Sequence, residues 1–105
     1  MTVTGYSFRL YLAGGTARAM QAEAQLRHLC ETRLPEGFEL EVLDVTDHPD
    51  RAEEDRVLVT PTVIRLSPPP ARRVLGSLSD EHRVGLALGL PAVEEPPGDR
   101  SRDHA

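Results

Sequence analysis

From Tyr6 apolar and polar side chains alternate, Phe8, Leu10 and Leu12 facing one way and Ser7, Arg9 and Tyr11 the other, which is the period-two signature of a strand. Ala13-Gly14-Gly15-Thr16 follows as a tight turn, its threonine suited to accept the free amide hydrogens of a helix start. Ala19, Ala22, Leu26, Leu29 and Cys30 then recur at helical spacing and predict a helix reaching about Arg33. Leu34-Pro35-Glu36-Gly37 breaks it. Phe38, Leu40 and Val42 alternate with Glu39 and Glu41 before Leu43 and Val45, a half-buried second strand.

In the second half, Pro49 stands where a first helical turn tolerates proline, and Ala52-Glu53-Glu54-Asp55 has the composition of a short solvated helix. Val57 to Val59 and Thr62 to Leu66 are strand-like, but Pro61 cannot donate to a ladder, so the strand starts at Pro61 or just after it. Ser67 and the triple proline Pro68 to Pro70 lead to a short fourth strand, Arg72 to Gly76. The last apolar segment is divided. Val84, Leu86, Leu88 and Leu90 alternate with Gly85, Ala87 and Gly89 as in a strand, yet Ser79-Asp80-Glu81 is a helix start, and leucine and alanine are strong helix formers. One domain over residues 1–90 is expected, with a polar, proline- and glycine-containing tail over 91–105 expected to be disordered.

A length of 105 residues allows one modest core. Hydrophobic residues at 39% and charged residues at 28% fit a soluble globular chain and exclude both a membrane span and an intrinsically disordered sequence. The net charge of -5 argues against a nucleic-acid binder and leaves proteins as the expected partners. All basic residues are arginine, which removes Schiff-base chemistry and any phosphate-loop lysine. The single Cys30 cannot form an internal disulfide, no basic segment followed by an apolar run opens the chain, and the expected location is cytoplasmic.

Individual constellations point to little chemistry. Gly14-Gly15-Thr16 before a helix invites a phosphate-binding assignment, but without the later Gly-Lys-Ser/Thr a turn is the better one. Cys30 lies on the apolar stripe of its helix, as a buried core thiol would. Asp44, Asp47, His48 and Asp50 could ligate a metal or stabilise exposed amides at a helix start, and Glu53, Glu54 and Asp55 have the spacing of a solvated face rather than an acid-base pair. No nucleophile has a neighbouring base, so no enzymatic activity, cofactor or metal is expected. Arg56, Arg65, Arg72 and Arg73 stand out, with no acidic residue from Arg56 to Leu78. Such arginines either discourage edge pairing or meet an acidic partner surface.

Several segments in order, Arg9-Leu10-Tyr11-Leu12-Ala13-Gly14-Gly15-Thr16, Val42-Leu43-Asp44-Val45, Ala52 to Thr62, and Pro68 to Ser79, resemble the KaiB family of circadian-clock proteins of cyanobacteria and their homologues in other bacteria. The most specific part is the combination of Ala-Glu-Glu-Asp, Thr-Pro-Thr and the triple proline. The resemblance implies a thioredoxin-like β-α-β-α-β-β-α fold, with a second, oligomeric resting fold of order β-α-β-β-α-α-β, and homo-oligomers such as a dimer or tetramer. It implies Gly14-Gly15-Thr16 where a redox relative holds two cysteines, and Pro61 at the cis-proline position. It further implies a non-enzymatic module that docks on a KaiC-like hexameric ATPase and recruits other clock or signalling proteins. Partner-binding residues implied are Arg56, Arg65, Arg72 and Arg73, with Glu54 and Asp55; fold-switch positions are Ala87 and Gly89. Ser67, and Ala87-Leu88-Gly89-Leu90-Pro91 in place of Gly-Leu-Asp-Leu-Leu, depart from the cyanobacterial pattern and suggest a non-cyanobacterial homologue. A thioredoxin-fold redox protein or sensor acting through Cys30 is the alternative function. Alanine rather than glycine at 87, and helix-forming residues over 52–55, favour the thioredoxin-like form.

Overall fold

The alternating segment forms strand β1 (Tyr6–Leu12), and Thr16 caps helix α1 (Ala17–Arg33), its hydroxyl oxygen accepting from the Ala19 amide at 3.0 Å. The computed structural model describes residues 5–92. Strand β2 (Phe38–Asp44), helix α2 (Pro49–Glu54), strands β3 (Thr62–Ser67) and β4 (Arg72–Leu75) and helix α3 (Glu81–Leu88) follow. This is the β-α-β-α-β-β-α order of a thioredoxin-like fold, not the alternative β-α-β-β-α-α-β. The tail expected to be disordered lies, from Val93 onward, outside the described residues.

The sheet order is β2-β1-β3-β4. β2 runs parallel to β1, which requires a long crossover, and α1 supplies it. β3 and β4 add antiparallel. On one face Phe8, Leu10, Leu12, Val63 and Val74 pack with Ala22, Leu26, Leu29 and Cys30 of α1 and Val84 and Leu88 of α3. On the other face Tyr11, Leu43 and Ile64 pack under Ala52 of α2, with Val45 and Val57 at the margin. Both faces of β1 are therefore covered. Gly14 is required by space: a Cβ there would collide with Oδ2 of Asp44, which ends β2.

The divided segment is a helix. Its cap is Asp80, one position after Ser79, and the Asp80 carboxylate accepts from the Arg83 amide at 3.1 Å. Just past the last turn, Gly89 takes a left-handed backbone (φ 69°), the Gly89 amide donates to the Leu86 carbonyl and the Leu90 amide to that of Gly85. That pair of bonds closes a Schellman motif, which favours glycine at the left-handed position. A strand would turn Leu86 inward with Val84 and Leu88; the helix leaves Leu86 66% exposed and buries the other two.

Leu88→Ala should therefore cost about 2–5 kcal/mol in urea unfolding, and Leu86→Ala less than about 0.5 kcal/mol. Equal costs would show that the segment pairs as a strand.

Candidate functional site

The face covered by α2 carries a polar network built around a buried hydroxyl. Tyr11 is fully buried, and its phenolic oxygen lies 2.6 Å from Oδ2 of Asp55 and 3.0 Å from the Arg51 carbonyl oxygen. A buried hydroxyl without a partner costs about 1–3 kcal/mol, so Tyr11 fixes the end of α2 against the sheet. Arg9, on the same face of β1, donates from Nη1 to Asp55 (3.0 Å) and from Nε to Glu41 of the adjacent strand (2.9 Å). Arg51 of α2 reaches Glu41 at 3.1 Å. Burial and then the Asp55 hydrogen bond push the Tyr11 hydroxyl up to about 12. Burial alone would raise the Asp55 carboxyl, but the Tyr11 and Arg9 hydrogen bonds outweigh it and hold the group below its ordinary value. Hydrogen bonds from Arg9 and Arg51 lower Glu41 in the same direction. The acidic triplet is thus not a uniform solvated face: Asp55 turns inward while Glu53 and Glu54 remain exposed.

The four arginines do not form one surface. In the β3-β4 register Arg65 lies opposite Arg72 and Ile64 opposite Arg73, so alternation puts Arg65 and Arg72 on the side of α1 and α3 and Arg73 on the side of α2. Arg73 is exposed and donates to the Asp55 carbonyl at 2.9 Å. Arg72 is exposed on the edge strand. The expectation that Arg65 presents its charge to a partner is corrected: it is 5% exposed, with Nη1 donating to the Leu88 carbonyl (2.9 Å) and Nη2 to that of Pro70 (2.8 Å). β3 is an inner strand, and its helix side is covered.

Arg56 has the unusual backbone of the site. The α2 helix ends in the same Schellman closure as α3, with the Arg56 amide donating to the Glu53 carbonyl and the Val57 amide to that of Ala52, but here an arginine takes the left-handed position at φ 57°. A side chain there costs about 1 kcal/mol relative to glycine. The chain beyond it exposes apolar groups: Leu58 is 90% exposed, Val59 47%, and Leu75 of β4 53%. Leu75 pairs with Thr62, whose hydroxyl donates to the Val59 carbonyl at 2.7 Å, and it shares a face with Arg73. Arg56, Leu58 and Val59 thus follow the end of α2, and Arg73 and Leu75 of β4 join them through the Asp55 carbonyl and through Thr62. Sequence reasoning missed Leu58, Val59 and Leu75; the available signal was the apolar run Val57 to Val59 stranded by Pro61.

Elsewhere the chemistry is sparse. Cys30 is wholly buried, and burial pushes its thiol up to about 12. The Thr60-Pro61, Ser67-Pro68 and Pro69-Pro70 peptides are cis. Pro61, Ser77 and Ser79 with Arg18, Gln21 and Gln25 border a shallow cleft of about 440 Å³. Asp44 accepts from the Thr46 amide and hydroxyl, and among the described residues no three of His, Cys, Asp and Glu converge to hold a metal ion. Among them, too, no helix is long and apolar enough to cross a membrane. Ala87 is half-buried on α3 and Gly89 ends it.

Two outcomes are expected. Because the folded Asp55 carboxyl sits below its unfolded value, its contribution is complete above the ordinary carboxylate range and is lost as pH falls through the folded value. Urea midpoints should drop below about pH 4; Asp55→Asn should cost roughly 1–3 kcal/mol at neutral pH and flatten that drop. An unchanged slope would remove Asp55 from the network. At pH 8 a thiol near 12 is ionised in roughly one molecule in ten thousand, so iodoacetamide should leave native Cys30 unmodified and label it only in denaturant. Rapid native labelling would show an accessible thiolate.

The family model for the KaiB domain matches residues 9–90. Over 85 residues the chain is 45% identical to the circadian clock oscillator protein KaiB of Synechococcus sp. (strain CC9311), covering 81% of this chain and 71% of that protein. It is 45% identical over 85 residues to KaiB of Parasynechococcus marenigrum (strain WH8102), covering 81% and 82%. Among solved structures, the N-terminal domain of Synechococcus elongatus SasA superposes with a TM-score of 0.69 at 18% identity, covering 85% of this chain and 88% of that domain. Chloroplastic thioredoxin z superposes at 0.64 and 18% identity, covering 82% and 77%. These two likenesses establish a thioredoxin-like fold, and the family model over residues 9–90 together with 45% identity to KaiB proteins over 85 residues places the chain in the KaiB family of circadian clock proteins.

Proposed function

We propose that this chain is a non-enzymatic regulatory module that docks on a KaiC-type hexameric ATPase, in clock or related timing control, through the corner formed by the end of α2, the following loop and the α2 side of β4. The carrying observation is the exposed cluster Leu58, Val59 and Leu75 beside Arg56 and Arg73. Apolar side chains at this exposure have water to exclude, and flanking guanidinium groups recognise carboxylates with two parallel bonds. Glu54 stands at the rim, where charges affect association rate more than affinity, whereas Arg72 lies on the opposite face beside Gly89. Asp55 acts from behind, through Tyr11, Arg9 and the carbonyl that holds Arg73.

Arg56 supports the same reading energetically. Glycine would relieve the left-handed backbone after α2, as it does after α3, so the arginine side chain is retained at a cost in stability. The redox alternative has weaker support, because the lone thiol is buried and held protonated.

Affinity for a KaiC-type ATPase, measured by surface plasmon resonance at low salt, should fall by about 1–3 kcal/mol for Arg73→Ala and for Arg56→Ala, and by less at high salt. Arg56→Gly should separate the two properties, raising unfolding stability by about 0.5–1 kcal/mol while weakening binding. If Arg56→Ala and Arg73→Ala both bind as tightly as the parent chain, the docking surface lies elsewhere.

A further inference from the structure

The guanidinium of Arg65 occupies an unusual place. Its backbone is in the middle of the sheet, opposite Phe8 on one side and Arg72 on the other, and its side chain runs beneath the helical layer to the far end of α3. There it spans two segments distant in sequence, the Leu88 carbonyl in the last turn of α3 and the Pro70 carbonyl in the β3-β4 connection. Its Nε is buried and makes no hydrogen bond, and among the described residues no carboxylate lies within ion-pair distance. Among the described residues, then, the hydrogen bonds of this buried cation all go to backbone carbonyls. The last four carbonyls of a helix lack helical partners, and its C-terminus carries partial negative charge, so the helical form of this segment creates the acceptor that Arg65 uses.

The fit at this end is tight. A Cβ on Gly89 would lie 2.8 Å from Nη1 of Arg65 and 3.2 Å from Nε of Arg72, so the glycine that permits the left-handed turn also leaves the gap that the guanidinium fills. If Val84 to Leu90 were instead a strand, as their alternation equally allows, the Leu88 carbonyl would enter a ladder and the Schellman turn would not form. We propose that Arg65 is a conformational latch: by binding the Leu88 and Pro70 carbonyls together it selects the helical state of the segment from Glu81 to Leu90 and ties that segment to the proline-rich turn. Removing it opens this segment in preference to the rest of the domain, because the Leu88 and Pro70 carbonyls then lose their shared donor and nothing else named ties the end of α3 to the proline-rich turn. This role is independent of any docking partner.

The test is amide hydrogen exchange, resolved by NMR, on the full chain. Arg65→Met, which keeps an unbranched apolar stem but removes the donors, should speed exchange of Val84 to Leu90 at least about 10-fold more than that of Leu26 to Cys30 in α1. Arg65→Lys keeps the charge but lacks the fork, and should give a smaller effect in the same segment. Gly89→Ala should also loosen this segment, and its effect should shrink at least about 3-fold in the Arg65→Met background, since the two residues share one contact. If Arg65→Met does not fold, the Arg65→Lys and Gly89→Ala pair carries the same comparison. Uniform acceleration across α1 and α3, or fully additive effects of the two positions, would overturn the latch.

Discussion

The two-sided burial of β1 is the constraint on which the other elements depend. Phe8 and Leu10 are shielded on one face and Tyr11 on the other, and the strand is hydrogen-bonded along both edges by β2 and β3. A strand in that position needs a layer above and a layer below. The parallel crossover provides α1, the chain after β4 provides α3, and these make the larger core. The opposite face receives only the six residues of α2. So short a helix cannot cover a four-stranded sheet, and the α2 side of β4 and the loop before β3 are left bare.

That asymmetry produces the candidate site. Were α2 longer, Leu75, Val59 and Arg73 would be part of a second core. Instead they remain at the surface, and the polar network beneath α2 gives them a rigid backing. Tyr11 has one hydroxyl proton to place in an apolar setting, and Asp55 receives it; Asp55 in turn takes Arg9, and its carbonyl takes Arg73. Hydrogen bonds among charged and buried groups in a dry setting reinforce one another. The end of α2, the strained Arg56 backbone and the edge strand are thereby coupled to the centre of the sheet, which suits a surface that must keep its shape when a partner arrives.

Arginine serves opposite purposes on the two faces. On the α2 side the guanidinium groups are offered to solvent or paired with carboxylates. On the helical side Arg65 is consumed internally, holding two chain segments that share no other sequence relation. Neighbours in a strand face opposite layers, so Ile64, in the smaller core, and Arg65, in the larger, have different fates despite being adjacent.

The linear pattern was sufficient for the elements governed by local periodicity and steric rules. The alternation from Tyr6, the helical spacing to Cys30, the cap at Thr16 and the proline that delays β3 all act within a few residues, so the sequence alone places β1, α1 and β3 closely. The family was legible too, because the Ala-Glu-Glu-Asp, Thr-Pro-Thr and triple-proline series is specific in order and spacing. What the pattern could not decide was anything that depends on register between distant segments. The alternation of Val84 to Leu90 permits a strand, and although Ala87 and the helix start at Ser79-Asp80-Glu81 favoured the helix that forms, the way Leu88 and Gly89 meet Arg65 was not legible. Asp55 looks like any exposed acid until Tyr11 is brought beneath it, and Arg65 like any surface arginine until α3 closes over its strand. Burial is set by the layer that packs against a face, and only the tertiary structure says which layer that is.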